Sequence, residues 1–223
     1  MEHTDPGTDD FYRRYAERLA SHPESSRSAM LPVVEAALPR GSRVLDVGAG
    51  AGRDVAGMLA AGLDAYGVEP SAEMRARALA QFPALADRLH RLRDGALPDL
   101  GRPFGDILPE GFDGVVCSAV LMHVGEDALP GALSALAATL RRSADGRHAA
   151  PGTVMLLSLP EQLDGSLAEG RDLDGRRFAN HAPARVGTLL ATRGFSLAAH
   201  AVSDAVLGAT GTRWHTLTLR ASV

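Results

Sequence analysis

The chain has 223 residues, of which 45% are hydrophobic and 22% are charged, and this composition suits one globular domain with a full core. Its formal net charge of −4 disfavours nucleic acid as a partner, because nucleic-acid affinity depends largely on neutralising phosphates. The longest apolar stretches, such as Gly114 to Leu121, are far shorter than the ~20 residues that span a bilayer, and the acidic N-terminus is unlike a signal peptide, so we expect a cytoplasmic protein without membrane association.

The N-terminal part of the chain predicts two helices before any strand. They are expected at Asp10–Ser21 and Ser28–Leu38, and the first eight residues are expected to fray. We expect a single domain in which residues 1–40 form a helical cap on a core of residues 41–223. The sequence leaves the oligomeric state open.

From residue 43 onward, short apolar runs alternate with helical patterns. This alternation is typical of βαβ units and predicts a largely parallel sheet flanked by helices. The predicted strands are Arg43–Val47, Leu63–Glu69, Leu89–Arg93, Phe112–Ser118, Thr153–Ser158, Phe195–Val202 and Arg213–Arg220. The predicted helices between them are Arg53–Ala61, Ala72–Gln81 after an N-cap at Ser71, a segment after Pro130, and Pro183–Thr192. Longer loops are predicted at Gly95–Gly111, Pro160–Arg177 and Ser203–Gly211.

The most informative segment runs from Val44 to Asp54, where an apolar strand leads into three alternating glycines and then into a helix. Gly48, Gly50 and Gly52 lack a Cβ, so the backbone there can turn sharply and approach a ligand closely. The spacing does not fit the G-x-G-x-x-G of dinucleotide loops, and a P-loop needs a lysine, which the chain lacks. The segment therefore predicts another kind of nucleotide cofactor loop, with an ordinary glycine-rich turn as the alternative.

Four later segments follow the predicted strands in a definite order. Val68 to Ser71 ends the second strand, Leu92 to Pro98 follows the third, Phe112 to Val124 contains the fourth, and Pro151 to Leu157 contains the fifth. Together with Asp46 and the glycine loop, these segments resemble the successive motifs of class I S-adenosylmethionine-dependent methyltransferases that act on small molecules.

The resemblance covers residues 44–158 motif by motif and the rest of the sheet more loosely. It implies an α/β fold with a Rossmann-like, doubly wound sheet of seven strands, mostly parallel with an antiparallel last strand. It implies S-adenosyl-L-methionine as cofactor, S-adenosyl-L-homocysteine as product, and no metal. The implied activity is in-line transfer of a methyl group to an oxygen or nitrogen atom of a small molecule, in enzyme class EC 2.1.1.-.

The resemblance also assigns the cofactor contacts. The methionine moiety would lie on Asp46, Gly48, Ala49, Gly50 and Gly52. The ribose hydroxyls would bind Glu69 beside Pro70, an acid at the offset of about 20 residues that a βαβ unit imposes. The adenine turn would be Asp94, Gly95 and Ala96, with the Asp94 carboxylate accepting from the adenine amine, and Ser118 would line the floor beneath the methyl group. The alternatives are a helix-terminus acid at Glu69 and a loop cap at Asp94.

His123 is the candidate general base because it follows the fourth strand at the ligand end of the sheet. The alternative is a histidine packed between strand and helix, and His181 is the second choice for a base. Arg177 and its neighbour Arg176 are candidates for clamping a substrate carboxylate or phosphate. We favour the simpler interpretation that both arginines are solvated surface ions.

Tyr12 and Tyr15 are candidate substrate contacts on a helix that could cover the cofactor, although core packing explains them more simply. Cys117 lies in an apolar run and is expected to be a buried structural thiol. No Cys/His cluster has metal-ligand spacing. Two functional alternatives remain: a methyltransferase acting on a protein or peptide, and a non-catalytic module that binds S-adenosylmethionine.

Overall fold

A seven-stranded sheet forms the centre of the protein in a computed structural model, which describes residues 5–21, 28–87, 90–144, 146, 148–163, 165–204 and 211–222. The strands are β1 Arg43–Val47, β2 Asp64–Val68, β3 Leu92–Arg93, β4 Gly114–Ser118, β5 Val154–Gln162, β6 Phe195–Asp204 and β7 Thr212–Ala221. Their spatial order is β3-β2-β1-β4-β5-β7-β6, and only β7 runs antiparallel to its neighbours. The predicted α/β, Rossmann-like fold with an antiparallel last strand is confirmed.

Helices cover both faces of the sheet. They are α1 Pro6–Ser21, α2 Leu31–Ala37, α3 Arg53–Ala60, α4 Ala72–Gln81, α5 Leu129–Thr139 and α6 Pro183–Ala191, with short 3₁₀ helices at Pro83–Ala86 and Leu121–His123. Successive strand side chains point to opposite faces, so Val44 packs with Val34 and Met58, whereas Leu45 belongs to the cluster that contains Leu133 and Val186. Two apolar layers therefore enclose the sheet, one beneath α2, α3 and α4 and one beneath α5 and α6.

The order of the strands determines where a ligand can bind. From β1 the chain moves outward to β2 and β3, and then returns to place β4 on the other side of β1. Helices that follow neighbouring strands therefore leave on opposite sides at the β1/β4 position. Such a switch point opens a crevice at the carboxyl ends of the parallel strands, which is where open α/β sheets bind ligands.

Strand β5 is longer than predicted and includes Pro160, where the sequence predicts the start of a loop. The carbonyl of Ser158 faces β4 and accepts a hydrogen bond from the N–H of Ala119. Backbone groups alternate along a strand, so those of Pro160, two residues later, face the same side as those of Ser158. Because β4 ends at Ser118, the missing N–H of Pro160 costs no hydrogen bond in the sheet. The strand therefore continues to Gln162 along β7.

Helix α1 begins at Pro6, so the expectation that the first eight residues fray is wrong for residues 6–8, while residues 1–4 lie outside the described residues. The carboxylate of Asp5 accepts from the backbone N–H and the hydroxyl of Thr8 at 3.0 and 3.2 Å. It also forms two hydrogen bonds with Arg171, at 2.7 and 2.8 Å. These contacts fix the start of the helix, where proline is tolerated because its missing N–H needs no partner.

Other boundaries shift by a few residues. The third strand is reduced to two residues, and Leu89, at its predicted start, lies outside the described residues. Most of the predicted loop Ser203–Gly211 also lies outside them, and its first two residues belong to β6. Within the described residues, no helix combines the length and the apolar character needed to cross a bilayer.

Candidate functional site

The carboxyl ends of β1, β2 and β4 open into a cavity of about 630 Å³, within the size range of sites for drug-sized ligands. Helix α1 forms the opposite wall. The predicted site residues that line this cavity are Tyr12, Tyr15, Asp46, Gly48, Ala49, Gly50, Glu69, Pro70, Gly95, Ala96, Ser118, His123 and Arg177. The fold thus brings together residues from most of the segments that the sequence singles out.

The glycine loop is held close to the end of β2. The N–H groups of Gly48 and Ala49 both donate to the carbonyl of Val68, each at 2.9 Å. Gly48 has a φ of 78°, in the left-handed region, and a Cβ at this position would overlap Cγ2 of Val120. Only glycine fits here, because any side chain would meet both backbone strain and an occupied space.

Glu69 links the glycine loop to the start of α4. One carboxylate oxygen accepts from the N–H of Gly50 and the other from the N–H of Ser71, both at 2.9 Å. Glu69 is only 6% exposed, and burial is the main reason why its pKa is raised, although the two N–H donors oppose this effect. Each oxygen keeps a second lone pair, so the carboxylate can still accept from a ligand at the cavity wall.

Asp46 makes the inner end of the cavity acidic. It is 3% exposed, and its pKa is raised well above the usual range by burial first and then by the charges of Asp54 and Glu69. Asp46 therefore shares a confined space with two other carboxyl groups, and its own ionisation there is costly, although the charge of Arg53 opposes this effect. A cationic ligand bound there would relieve this repulsion.

Two predicted cofactor residues do not line the cavity. The carboxylate of Asp94 is 75% exposed and pairs with Arg75 at 2.9 Å, so it lies outside the cavity in which the prediction placed the adenine amine. Gly52 is buried at the start of α3, where a Cβ would lie 2.6 Å from Leu85 Cδ1 and 2.9 Å from Ala78 Cβ. Its absent side chain permits close packing rather than ligand contact.

His123 lies at the cavity edge on the short helix that follows β4. Its Nδ1 is 2.7 Å from the carbonyl of Arg177, and its Nε2 is 3.1 Å from the hydroxyl of Tyr12. A carbonyl can only accept, so Nδ1 carries the proton, and in the neutral ring Nε2 is the acceptor of the Tyr12 proton. Burial lowers the pKa of His123, and the charge of Arg176 lowers it further, whereas the hydrogen bond to the Arg177 carbonyl opposes this effect. The lowered pKa favours the neutral ring at pH 7.

The remaining predicted polar residues are distributed differently from expectation. Arg176 is not a solvated surface ion: its side chain is 20% exposed, pairs with Asp172 at 2.6 Å and lies 4.3 Å from the ring centroid of Phe11. Arg177 is exposed and lines the cavity, so it remains available to a ligand. His181 is buried and does not line the cavity, so it is excluded as the second candidate base.

The N-terminal residues also contribute to the cavity, which the sequence did not predict. Thr8 lines the cavity, and its hydroxyl accepts from the N–H of Arg177 at 3.0 Å. Asp5 lines it as well. The pattern Asp5-Pro6 was a usable signal, because an acidic cap followed by proline is typical of a helix start.

Two further sequence features, metal ligands and the cysteine, lie outside the cavity or are not found among the described residues. Within the described part of the chain, no group of three or more His, Cys, Asp or Glu side chains could hold a metal ion. Cys117 is fully buried in β4, and burial raises the pKa of its thiol, as expected for a structural cysteine.

The sequence of the chain matches a known protein family. A family profile described as a methyltransferase domain matches residues 12–198. The chain belongs to this methyltransferase family. No curated protein is similar enough in sequence to count as a match.

Solved structures that resemble the methyltransferase share its fold at low sequence identity. The 1,6-didemethyltoxoflavin-N1-methyltransferase of Burkholderia thailandensis has a TM-score of 0.68 at 21% identity, with 97% of this chain and 87% of that chain covered. CcbJ methyltransferase of Streptomyces caelestis has a TM-score of 0.67 at 16% identity, with coverage of 98% and 100%. CalS10, an amino pentose methyltransferase of Micromonospora echinaspora, has a TM-score of 0.59 at 19% identity, with coverage of 94% and 97%.

Proposed function

We propose that this methyltransferase binds S-adenosylmethionine in the cavity and transfers its methyl group to an oxygen or nitrogen atom of a small molecule. The observation that carries the proposal is the buried Glu69 carboxylate, which holds the glycine loop at Gly50 and keeps free lone pairs at the cavity wall. The Burkholderia thailandensis structure contains S-adenosylhomocysteine and that of CalS10 contains S-adenosylmethionine, which supports the same cofactor here.

The charge of the cavity also favours this cofactor. S-adenosylmethionine carries a sulfonium, an ammonium and a carboxylate group, for a net charge of +1. The inner end of the cavity carries Asp46, Asp54 and Glu69, with Arg53 beside Asp54. Since burial and then the charges of Asp54 and Glu69 raise the pKa of Asp46, a bound cation would stabilise its ionised form. We therefore assign the methionine moiety to Asp46 and the glycine loop, and the ribose hydroxyls to Glu69.

The adenine ring is assigned to the turn after β3, through Gly95 and Ala96 rather than through the carboxylate of Asp94. Ser118, at the end of β4, would lie beneath the transferred methyl group. Residues 1–40 are assigned the role of a cap, because α1 lies over the cavity and packs Ala16 and Leu19 against α4. This cover over the cavity favours a small acceptor over a protein or peptide.

Methyl transfer needs little more than alignment of the acceptor atom with the methyl carbon, because the sulfonium departs as a neutral thioether, which is a good leaving group. The acceptor lone pair forms a bond to the methyl carbon while the C–S electron pair returns to sulfur. Holding the reactants at attack distance can supply up to about 7–11 kcal/mol of the rate enhancement. Arg177, exposed at the cavity rim, could orient an acceptor that carries a carboxylate or phosphate.

A protic acceptor must also lose a proton, and we assign this step to His123 and Tyr12. The acceptor proton would pass to the Tyr12 oxygen as the Tyr12 proton moves to Nε2 of His123, which ends as an imidazolium. The neutral form of His123, maintained by its lowered pKa, is the form that accepts a proton.

The proposal is tested by incubating the purified protein with S-adenosylmethionine labelled in its methyl group and with small-molecule and macromolecular fractions of cell extract. We expect label in a low-mass product, and none with the Glu69→Ala variant. Label in a macromolecule would instead support the protein or peptide alternative. Cofactor binding without any labelled product would support the non-catalytic alternative.

A further inference from the structure

A second histidine, His181, lies behind the site and has no role in the mechanism above. Its side chain is 1% exposed, and its Nε2 is 2.9 Å from the carbonyl of Leu121 and 3.0 Å from that of Val124. These two carbonyls begin and end the turn that carries His123. His181 therefore contacts the backbone of the turn that carries His123 without lining the cavity itself.

The other ring nitrogen of His181 faces an acid. Nδ1 lies 2.9 Å from Glu126, whose second oxygen is 3.1 Å from Arg185. A carbonyl only accepts, so Nε2 donates to the backbone of the turn, and Nδ1 faces the carboxylate of Glu126. Glu126 and Arg185 thus complete a chain of polar contacts that ends on the backbone of the turn.

The segment that carries His181 also holds His123 directly. The N–H of Ala179 donates to the carbonyl of Met122 at 2.8 Å, and the carbonyl of Arg177 accepts from Nδ1 of His123 at 2.7 Å. Residues 177–181 therefore hold both the backbone of the turn and the ring that it presents. The short 3₁₀ helix has only three residues, so these outside contacts fix its position.

We propose that His181 is a positioning residue, which holds the turn from Leu121 to Val124 so that Nε2 of His123 faces Tyr12 and the cavity. This inference rests on the proposed role of His123 as the proton acceptor. His181 itself does not line the cavity and so is not placed to contact substrate or cofactor. It acts by holding His123 in position, as buried hydrogen-bond partners commonly do for catalytic side chains.

The test follows the imidazole of His123 by ¹H–¹⁵N spectroscopy and pH titration in the full chain without ligand. We expect His181→Gln to weaken the hydrogen bond from Nδ1 and to raise the pKa of His123 toward the ordinary value of about 6.5, because a loosened turn exposes the ring to water. His215→Gln is the matched control, since His215 is also buried and lies 3.2 Å from a carboxylate, that of Glu161, but its side-chain hydrogen bonds go to β5 and β6 and not to the turn.

An unchanged His123 titration in His181→Gln, or an equal change in His215→Gln, would overturn the proposal. If His181→Gln does not fold, Glu126→Gln replaces it, and a His123 pKa identical to that of the wild type in this variant overturns the proposal as well. Calorimetry with S-adenosylmethionine is run in parallel. Failure of the wild type to bind the cofactor would count against the proposed function and leaves the spectroscopic result interpretable.

Discussion

The hydroxyl of Tyr12 lies 3.1 Å from Nε2 of His123, although the two residues are 111 positions apart in sequence. This hydrogen bond joins the N-terminal helix to the turn after β4, at the edge of the cavity. It also defines the tautomer of His123, because Nδ1 donates to the carbonyl of Arg177 on the other side of the ring.

Replacing Tyr12 by Phe is expected to raise the pKa of His123. The neutral ring loses the donor at Nε2, and a hydrogen bond of about 0.5–1.5 kcal/mol corresponds to a rise of roughly half to one unit. The measurement is a pH titration of the His123 ring by NMR. Tyr15→Phe, a matched change on the same helix, should leave the titration unchanged, and an equal rise in both variants would refute the assignment.

Replacing Asp5 by Asn is expected to loosen α1 while the sheet stays intact. Asp5 is ionised throughout the working pH range because Arg171, above all, lowers its pKa, and hydrogen bonds to charged groups contribute about 1.5–3 kcal/mol before solvent screening is taken into account. We expect amide hydrogen exchange in α1 to accelerate about 10-fold. Asp10→Asn, which removes exposed ion pairs from the same helix, should have little effect. Equal exchange in the two variants would contradict this role of Asp5.

Replacing Gly48 by Ala is expected to destabilise the fold more than replacing Gly41 by Ala. Both glycines have a positive φ, near 78° and 83°, which costs alanine about 1–2 kcal/mol. A Cβ at Gly41 has no atom within 4 Å, whereas one at Gly48 overlaps Val120 and adds a packing cost of about 1–3 kcal/mol. Chemical denaturation measures the difference, and Val120→Ala should recover part of it. Similar losses in both glycine variants would show that the loop has room.

Replacing Asp46 by Asn is expected to stabilise the ligand-free protein near neutral pH. Its carboxyl has a raised pKa in the folded state, so the folded protein binds more protons than the unfolded chain and loses stability as pH rises from about 4 through that raised pKa. Each unit by which the pKa is raised lowers the free energy of unfolding by about 1.4 kcal/mol at high pH. A change of about 1 kcal/mol shifts the Tm of a domain of this size by roughly 2–4 °C.

Thermal denaturation between pH 5 and about pH 8 checks this expectation. The Asp46→Asn curve should be flatter than that of the wild type. Asp106→Asn is the control of opposite sign, because its pKa is lowered by Arg93 and removing its charge cannot relieve repulsion. A lower Tm for Asp46→Asn at neutral pH would show that the ionised carboxylate stabilises the ligand-free fold.

The sheet and the glycine loop were predictable from sequence because their signals are local. Apolar strands, the left-handed glycines and the N-cap at Ser71, whose hydroxyl accepts from Met74, all depend on neighbours a few residues away. The continuation of β5 through Pro160 was not predicted, because proline is tolerated there only if no strand pairs with that side of its backbone. This depends on β4 ending at Ser118. That information belongs to the assembled sheet.

The site was predictable wherever the strand order alone places a residue at the crevice, as for Glu69 and Ser118. It was not predictable where the orientation of a side chain depends on which of several possible hydrogen-bond partners lies near it in the folded protein. Asp94 follows the correct strand, but Arg75 on α4 holds its carboxylate outside the cavity. Similarly, the contacts of His181 with the turn after β4 bridge about 60 residues and have no sequence pattern. The cytoplasmic location stays a prediction.

The most direct measurement is calorimetric titration of the wild type, Glu69→Ala and Asp94→Ala with S-adenosylmethionine and S-adenosylhomocysteine. We expect the wild type to bind both, Glu69→Ala to bind at least about 100-fold more weakly because two ribose hydroxyls lose a charged acceptor, and Asp94→Ala to bind nearly as the wild type does. Full affinity in Glu69→Ala, or no binding of either compound by the wild type, would contradict the account.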